Sequence, residues 1–108
     1  MKRGEVWTAA AGGGYVGKPR PAIILQDDRF DTDSVTLCAF TTNVIESQVA
    51  RPLVEPTREN GLRIVSRVMV DKVMTVPRSK LGHRIGVLGD QDMTRLNSAI
   101  VVFLGLAG

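Results

Sequence analysis

Arg20 is held between Pro19 and Pro21, where a glycine tract gives way to an apolar run in the stretch GGGYVGKPRPAIILQDD at residues 12–28. Pro19 fixes its own φ, and Pro21 pushes the residue before it towards extended geometry, so Arg20 has little backbone freedom left to lose. A guanidinium is always charged, and its planar fork fits phosphate oxygens better than the point charge of a lysine does. On a basic chain, beside a glycine-rich loop, the ligand this suggests is a phosphodiester. Two duller roles stand beside it: an ion pair with a neighbouring acid, or a simple gate at the mouth of the strand.

The other residues able to do chemistry are few. The loops DDRFDTDS and PTRENG are rich in acids. The first lacks the mid-loop glycine and closing glutamate of a calcium loop, which leaves solvated loop charges as the reading. One cysteine and one histidine do not make a zinc site. No metal and no cofactor are therefore expected. His83, in LGHRIG, has no partner beside it in sequence and reads as a solvent-exposed residue in a turn between strands. Cys38, in an alternating apolar strand, reads as core filler and not as a nucleophile.

These residues sit in a chain of 108, read as one domain spanning 1–108 and able to bury roughly 60 to 70% of the surface it would expose unfolded. Hydrophobic residues make up 44% and charged residues 23%, too apolar a mixture for a disordered chain. Fourteen basic against eleven acidic residues give a formal charge of +3, which favours a polyanionic partner. A lone cysteine and the lack of a charged-then-apolar leader point to a reducing cytoplasm. The longest apolar run, AIVVFLGLAG at 99–108, is too short to span a bilayer, so no membrane is expected.

The elements that must position Arg20 follow from periodicity. GEVWTAA reads as a strand with Trp7 on the side opposite Val6 and Thr8, and PAIILQ at 21–26 as a second, buried one. SVTLCAFTTN at 34–43 is a third, and ARPLVE at 50–55 a short fourth whose Pro52 suits an edge. RIVSRVMVDKVMTVP at 63–77 carries the strongest strand signal, long enough to bend partway. After SKLGHRIGVL, Asp90 is placed to cap a helix in which Met93, Leu96, Ile100, Phe103 and Leu104 recur at steps of three and four, ending at Gly105. Short strands followed by one helix predict a mostly β fold: a small, strongly curved antiparallel sheet or barrel with the C-terminal helix packed against it.

The series RGEVWTA, GKPRPAIILQDDRFD, VTLCAFTTN, ENGLRIVSRVMVDKVMTVPRSKLGHRIGVL and a helix ending LGL resembles the MazF/PemK family of toxin endoribonucleases over almost the whole chain. Its most specific parts are the R-P-hydrophobic strand at 20–25, the small polar residue at Thr41, and the S-x-V-x-x-D-x-V-x-T-V pattern from Ser66 to Val76. The resemblance implies an SH3-like antiparallel β-barrel with a C-terminal helix, a homodimer, and the toxin of a type II toxin–antitoxin system. It further implies sequence-specific, metal-independent cleavage of single-stranded RNA, and a cognate antitoxin whose disordered tail occupies the RNA groove. By position, Arg20 and Thr41 would carry catalysis. Strand alternation turns the adjacent Thr42 to the face opposite Thr41, so one of the two points into the site; Thr41 is taken as that residue, and Thr42 is kept as a candidate RNA contact.

The implied chemistry is attack of the ribose 2′-hydroxyl on the neighbouring phosphate, with negative charge gathering on the nonbridging oxygens. Arg20 supplies fixed positive charge and the Thr41 hydroxyl a hydrogen bond, at roughly 3 kcal/mol per well-placed donor. A general base is not evident: some family members carry an acidic or imidazole residue in the first loop, and AAAGGGYVGK has neither. Tyr15 is the better candidate for stacking a base, with Trp7 a core or interface anchor, and Lys18 adds a phosphate contact. In another branch of the family an Arg-x-Asp pair on the long strand serves. Asp71 matches its aspartate, Met69 stands in the arginine's place, and Arg67 shares a face with Asp71 by strand periodicity. Arg67 and Asp71 are therefore candidates to touch RNA, the alternative for Asp71 being to pair Arg67 or close a turn. Two other classes compete with the nuclease. One is a gyrase-poisoning toxin of the same barrel, CcdB-like, whose working helix carries a tryptophan that this C-terminal segment lacks. The other is a noncatalytic RNA-binding barrel.

Overall fold

The computed structural model of the protein describes residues 1–10, 18–46 and 49–107. Among the described residues, seven strands and one α-helix follow in chain order: β1 (Glu5–Ala9), β2 (Arg20–Ile24), β3 (Ser34–Thr41), β4 (Leu53–Val54), β5 (Ser66–Val68), β6 (Met74–Pro77), β7 (Leu81–Val87) and α1 (Asp90–Phe103). All pairings are antiparallel, in the order β4-β5-β3-β2-β1-β7, with β6 also paired to β3. The result is a curled sheet, a half-barrel, closed on one side by the helix.

Period-2 alternation sends successive residues of the central strands to opposite faces. On one face Val6, Ile23, Cys38, Phe40, Val68 and Leu96 belong to a core cluster against which Met93, Ala99 and Ile100 of α1 pack. On the other, Ala9, Ala22, Ile24, Val35, Leu37 and Val76 form a second cluster, with Trp7 half-buried against it. Trp7 thus faces away from Val6, as its place in the alternation requires.

Three expectations about the elements are corrected. The run at 63–77 is not one bent strand: β5 ends at Val68, a 3-10 turn occupies Val70–Lys72, and β6 resumes at Met74. Both pieces pair with β3, β5 at Phe40 and Thr41 and β6 from Ser34 to Leu37, so the interruption lets one segment serve two stretches of the same strand. Asp90 is the first helical residue and Gly89 the cap; no side chain caps the end, although Asp90 and Asp92 lie in the first turn, where their charge suits the helix dipole. Met93, Leu96 and Ile100 face the core, but Phe103, the last helical residue, and Leu104, its C-cap, are exposed, because the core cluster packs on α1 only as far as Ile100. Pro52 directly precedes the edge strand β4, and its carbonyl accepts the Val68 N–H at 2.9 Å.

Candidate functional site

Arg20 opens β2 and is exposed, paired across to Ala9 of β1. Thr41 closes β3, half-buried and paired across to Arg67 of β5. Between β2 and β3 the register sets Ala22 opposite Ala39. Carried two residues further, that register sets Arg20 opposite Thr41, on the same face as Ala22 and Ala39 by alternation. The two candidates therefore lie at one end of neighbouring strands, on one side of the sheet. The Thr41 hydroxyl oxygen accepts the Asn43 N–H at 3.2 Å, which anchors the chain as it leaves the strand. Lys18 is exposed just ahead of Arg20, and Thr42 is exposed just past the end of β3. Tyr15 lies outside the described residues.

Arg67 is more occupied than its sequence position suggests. Its Nε donates to the Val44 carbonyl at 2.8 Å and its Nη1 to the Arg51 carbonyl at 2.8 Å. Nη2 stands 4.0 Å from the Glu46 carboxylate, and the side chain is 16% exposed.

Asp71 lies in the 3-10 turn, where strand periodicity no longer applies, so the count that put it on the face of Arg67 fails. Its partner is Arg51, whose Nε and Nη2 donate to Oδ1 and Oδ2, each at 2.8 Å. These bonds hold the Asp71 carboxyl below its usual range. Arg51 is the residue that reading the sequence missed. Its signal was present: Arg51-Pro52 is the second R-P pair in the chain, and it restrains the arginine as Pro21 restrains Arg20.

Arg51, Arg67 and Arg95 line a groove of about 710 Å³ with Leu53, Ala99 and Val102, between the β3–β4 connection and α1. Arg95 donates to the Leu53 carbonyl and to Asp92, so it ties the helix to the edge strand. Cys38 is fully buried, and burial pushes its thiol up to about 12, with the charge of Asp71 adding to the effect. A thiol held there is a core side chain, not a nucleophile. His83 lies within β7 and not in a turn; it is exposed, and its backbone N–H donates to the Thr8 hydroxyl at 3.0 Å.

The chain is 55% identical over 109 residues to the probable endoribonuclease MazF of Mycolicibacterium smegmatis, covering all of both chains. It shares 25% identity with an endoribonuclease MazF of Staphylococcus saprophyticus, over 98% of this chain and 92% of that one. Among solved structures it superimposes with a TM-score of 0.80 on a mycobacterial endoribonuclease in complex with its cognate antitoxin, at 22% identity over 98% and 96% of the two chains. Mycobacterium tuberculosis toxin MazF-mt6 gives a TM-score of 0.74 at 28% identity, over 91% and 93%. The pattern of the PemK-like, MazF-like toxins matches residues 2–104, and with a full-length relative at 55% identity, the chain belongs to that family of type II toxin–antitoxin toxins.

Proposed function

We propose that this toxin is an endoribonuclease that cuts single-stranded RNA at short sequence motifs with Arg20 and Thr41 and without a metal, and that it acts as a homodimer in the cytoplasm. What supports the site is an exposed, proline-clamped guanidinium at the start of β2 and a hydroxyl at the end of β3, the antiparallel neighbour of β2. The 2′-oxygen forms a bond to phosphorus as the bond from phosphorus to O5′ breaks, giving a 2′,3′-cyclic phosphate and a free 5′-hydroxyl. The 2′-hydroxyl loses a proton and O5′ gains one. Charge accumulates on the nonbridging oxygens, where Arg20 is worth most because its position costs nothing to organise during the reaction. Thr41 donates to a phosphate oxygen. Lys18 and Thr42 flank the pair and contact the RNA backbone. A cognate antitoxin restrains the enzyme by covering the same end of the sheet, a role consistent with the family and with the structural neighbour that was solved bound to its antitoxin.

The test is incubation of the purified protein with single-stranded RNA in EDTA. Discrete fragments with 5′-hydroxyl ends are expected. Arg20→Ala should slow cutting by about 100-fold or more, the usual effect of removing one charge-stabilising donor, and Thr41→Ala by a smaller factor. Thermal melting of Arg20→Ala should match the parent, because the residue is exposed. Undiminished cutting by Arg20→Ala would put the site elsewhere. RNA binding without fragments would make the protein a noncatalytic barrel, and neither would favour a protein-binding toxin.

A further inference from the structure

The β3–β4 connection leaves the sheet at Thr41 and returns at Leu53; 42–46 and 49–52 of it are described. Val44 lies near its start and Arg51 near its end, and one guanidinium, that of Arg67, donates to both of their carbonyls, at 2.8 Å each. Arg67 itself is paired in register with Thr41. Val44 and Ile45 are 41% and 78% exposed, so apolar burial contributes little at that end. Further ties within the connection include Asn43 N–H on the Thr41 hydroxyl, Ile45 N–H on the Asn43 side-chain oxygen at 3.2 Å, and, at the far end, Val49 packed against the core and Arg51 on Asp71.

From this geometry we propose that Arg67 is a positioning residue: its guanidinium clamps the two ends of the β3–β4 connection beside Thr41, and the connection so held selects the bases next to the phosphate that is cut. The inference rests on the nuclease reading above. It replaces a direct RNA contact by Arg67, since a guanidinium that turned to a phosphate would release two backbone carbonyls at once. A fork with two donors pointing in different directions makes this clamp; an ammonium, with its donors on a single atom, does not span it.

Arg67→Lys and Arg67→Met separate the two roles. Without RNA, hydrogen exchange at the Val44, Ile45 and Arg51 amides should quicken by about tenfold or more in both variants, the effect of losing one charged hydrogen bond, with β1, β2 and β7 unchanged. Mapping of cleavage ends on a mixed RNA pool should show both variants cutting a broader set of motifs than the parent. The dependence of RNA affinity on salt should keep its slope in both. A phosphate contact behaves differently: Arg67→Lys would keep the motif, and Arg67→Met would lower the salt slope by about one charge with the motif unchanged. That pattern, or unchanged exchange in the connection, overturns the clamp. A parent protein that cuts no RNA would overturn the nuclease reading and base selection with it, while the exchange measurement would still decide the clamp.

Discussion

Single residues in this molecule act through the partners that restrain them. Arg20 was legible because two prolines declare its geometry in the sequence itself, whereas the partner of Asp71 was not, because a three-residue 3-10 turn shifted its direction and no local pattern encodes that shift. The Arg51–Asp71 pair has a measurable consequence in acid. The folded-state pKa of Asp71 is held below its usual 3.8, so the unfolded chain takes up the proton first. The pair's contribution is therefore complete above the ordinary carboxylate range and is lost as pH falls through the lowered folded value. Asp71→Asn should cost about 1.5–3 kcal/mol at pH 7, the range for hydrogen bonds to a charged group, and the difference from the parent should shrink as pH falls below about 3.8. Urea melts of both proteins at pH 7 and in that acid range check this; a gap independent of pH would assign the cost to packing.

At the scale of elements, hydrophobic patterning located β1 to β4, the β-rich run that holds β5 and β6, and the helix; β7, whose LGHRIG was read as a turn, was missed, and boundaries and breaks depended on tertiary pairing. The 63–77 run is β-rich throughout, yet it divides because β3 has room for two separate partners along one edge. The PTRENG turn keeps its charged Arg58 and Glu59 exposed, as read from the sequence, and is organised by a buried asparagine. Asn60 Oδ1 accepts the N–H groups of Thr57 and Leu62, and its Nδ2 donates to the Glu55 carbonyl. That turn lies against β7 at Gly86, where an added Cβ would come within 2.3 Å of the Glu59 carbonyl oxygen and 2.4 Å of the Asn60 carbonyl carbon. Neither is a side chain able to swing aside. Gly86→Ala should therefore destabilise the fold by about 1–3 kcal/mol, the usual penalty for overpacking, seen as a lowered melting temperature. An unchanged melting temperature would mean that the turn and β7 part without cost.

Across the whole molecule, the resemblance in motif order gave the family and the mostly β architecture, and the sheet with its helix agrees. What the sequence could not show was which apolar residues remain uncovered. Val102, Phe103, Leu104 and Leu106 are 67%, 46%, 55% and 72% exposed at the end of the helix, more greasy surface than a small monomer usually leaves wet. Sedimentation at micromolar concentration should accordingly give about twice the 11.7 kDa of one chain; a single-chain mass would reject the homodimer. Among the described residues no helix is long and apolar enough to cross a membrane. Strand β3 lends Cys38 and Phe40 to one core and Val35 and Leu37 to the other, and it is flanked along its length by β2, β5 and β6. A strand shared between both clusters couples them, so damage anywhere along it should be felt at Thr41, the hydroxyl at its tip.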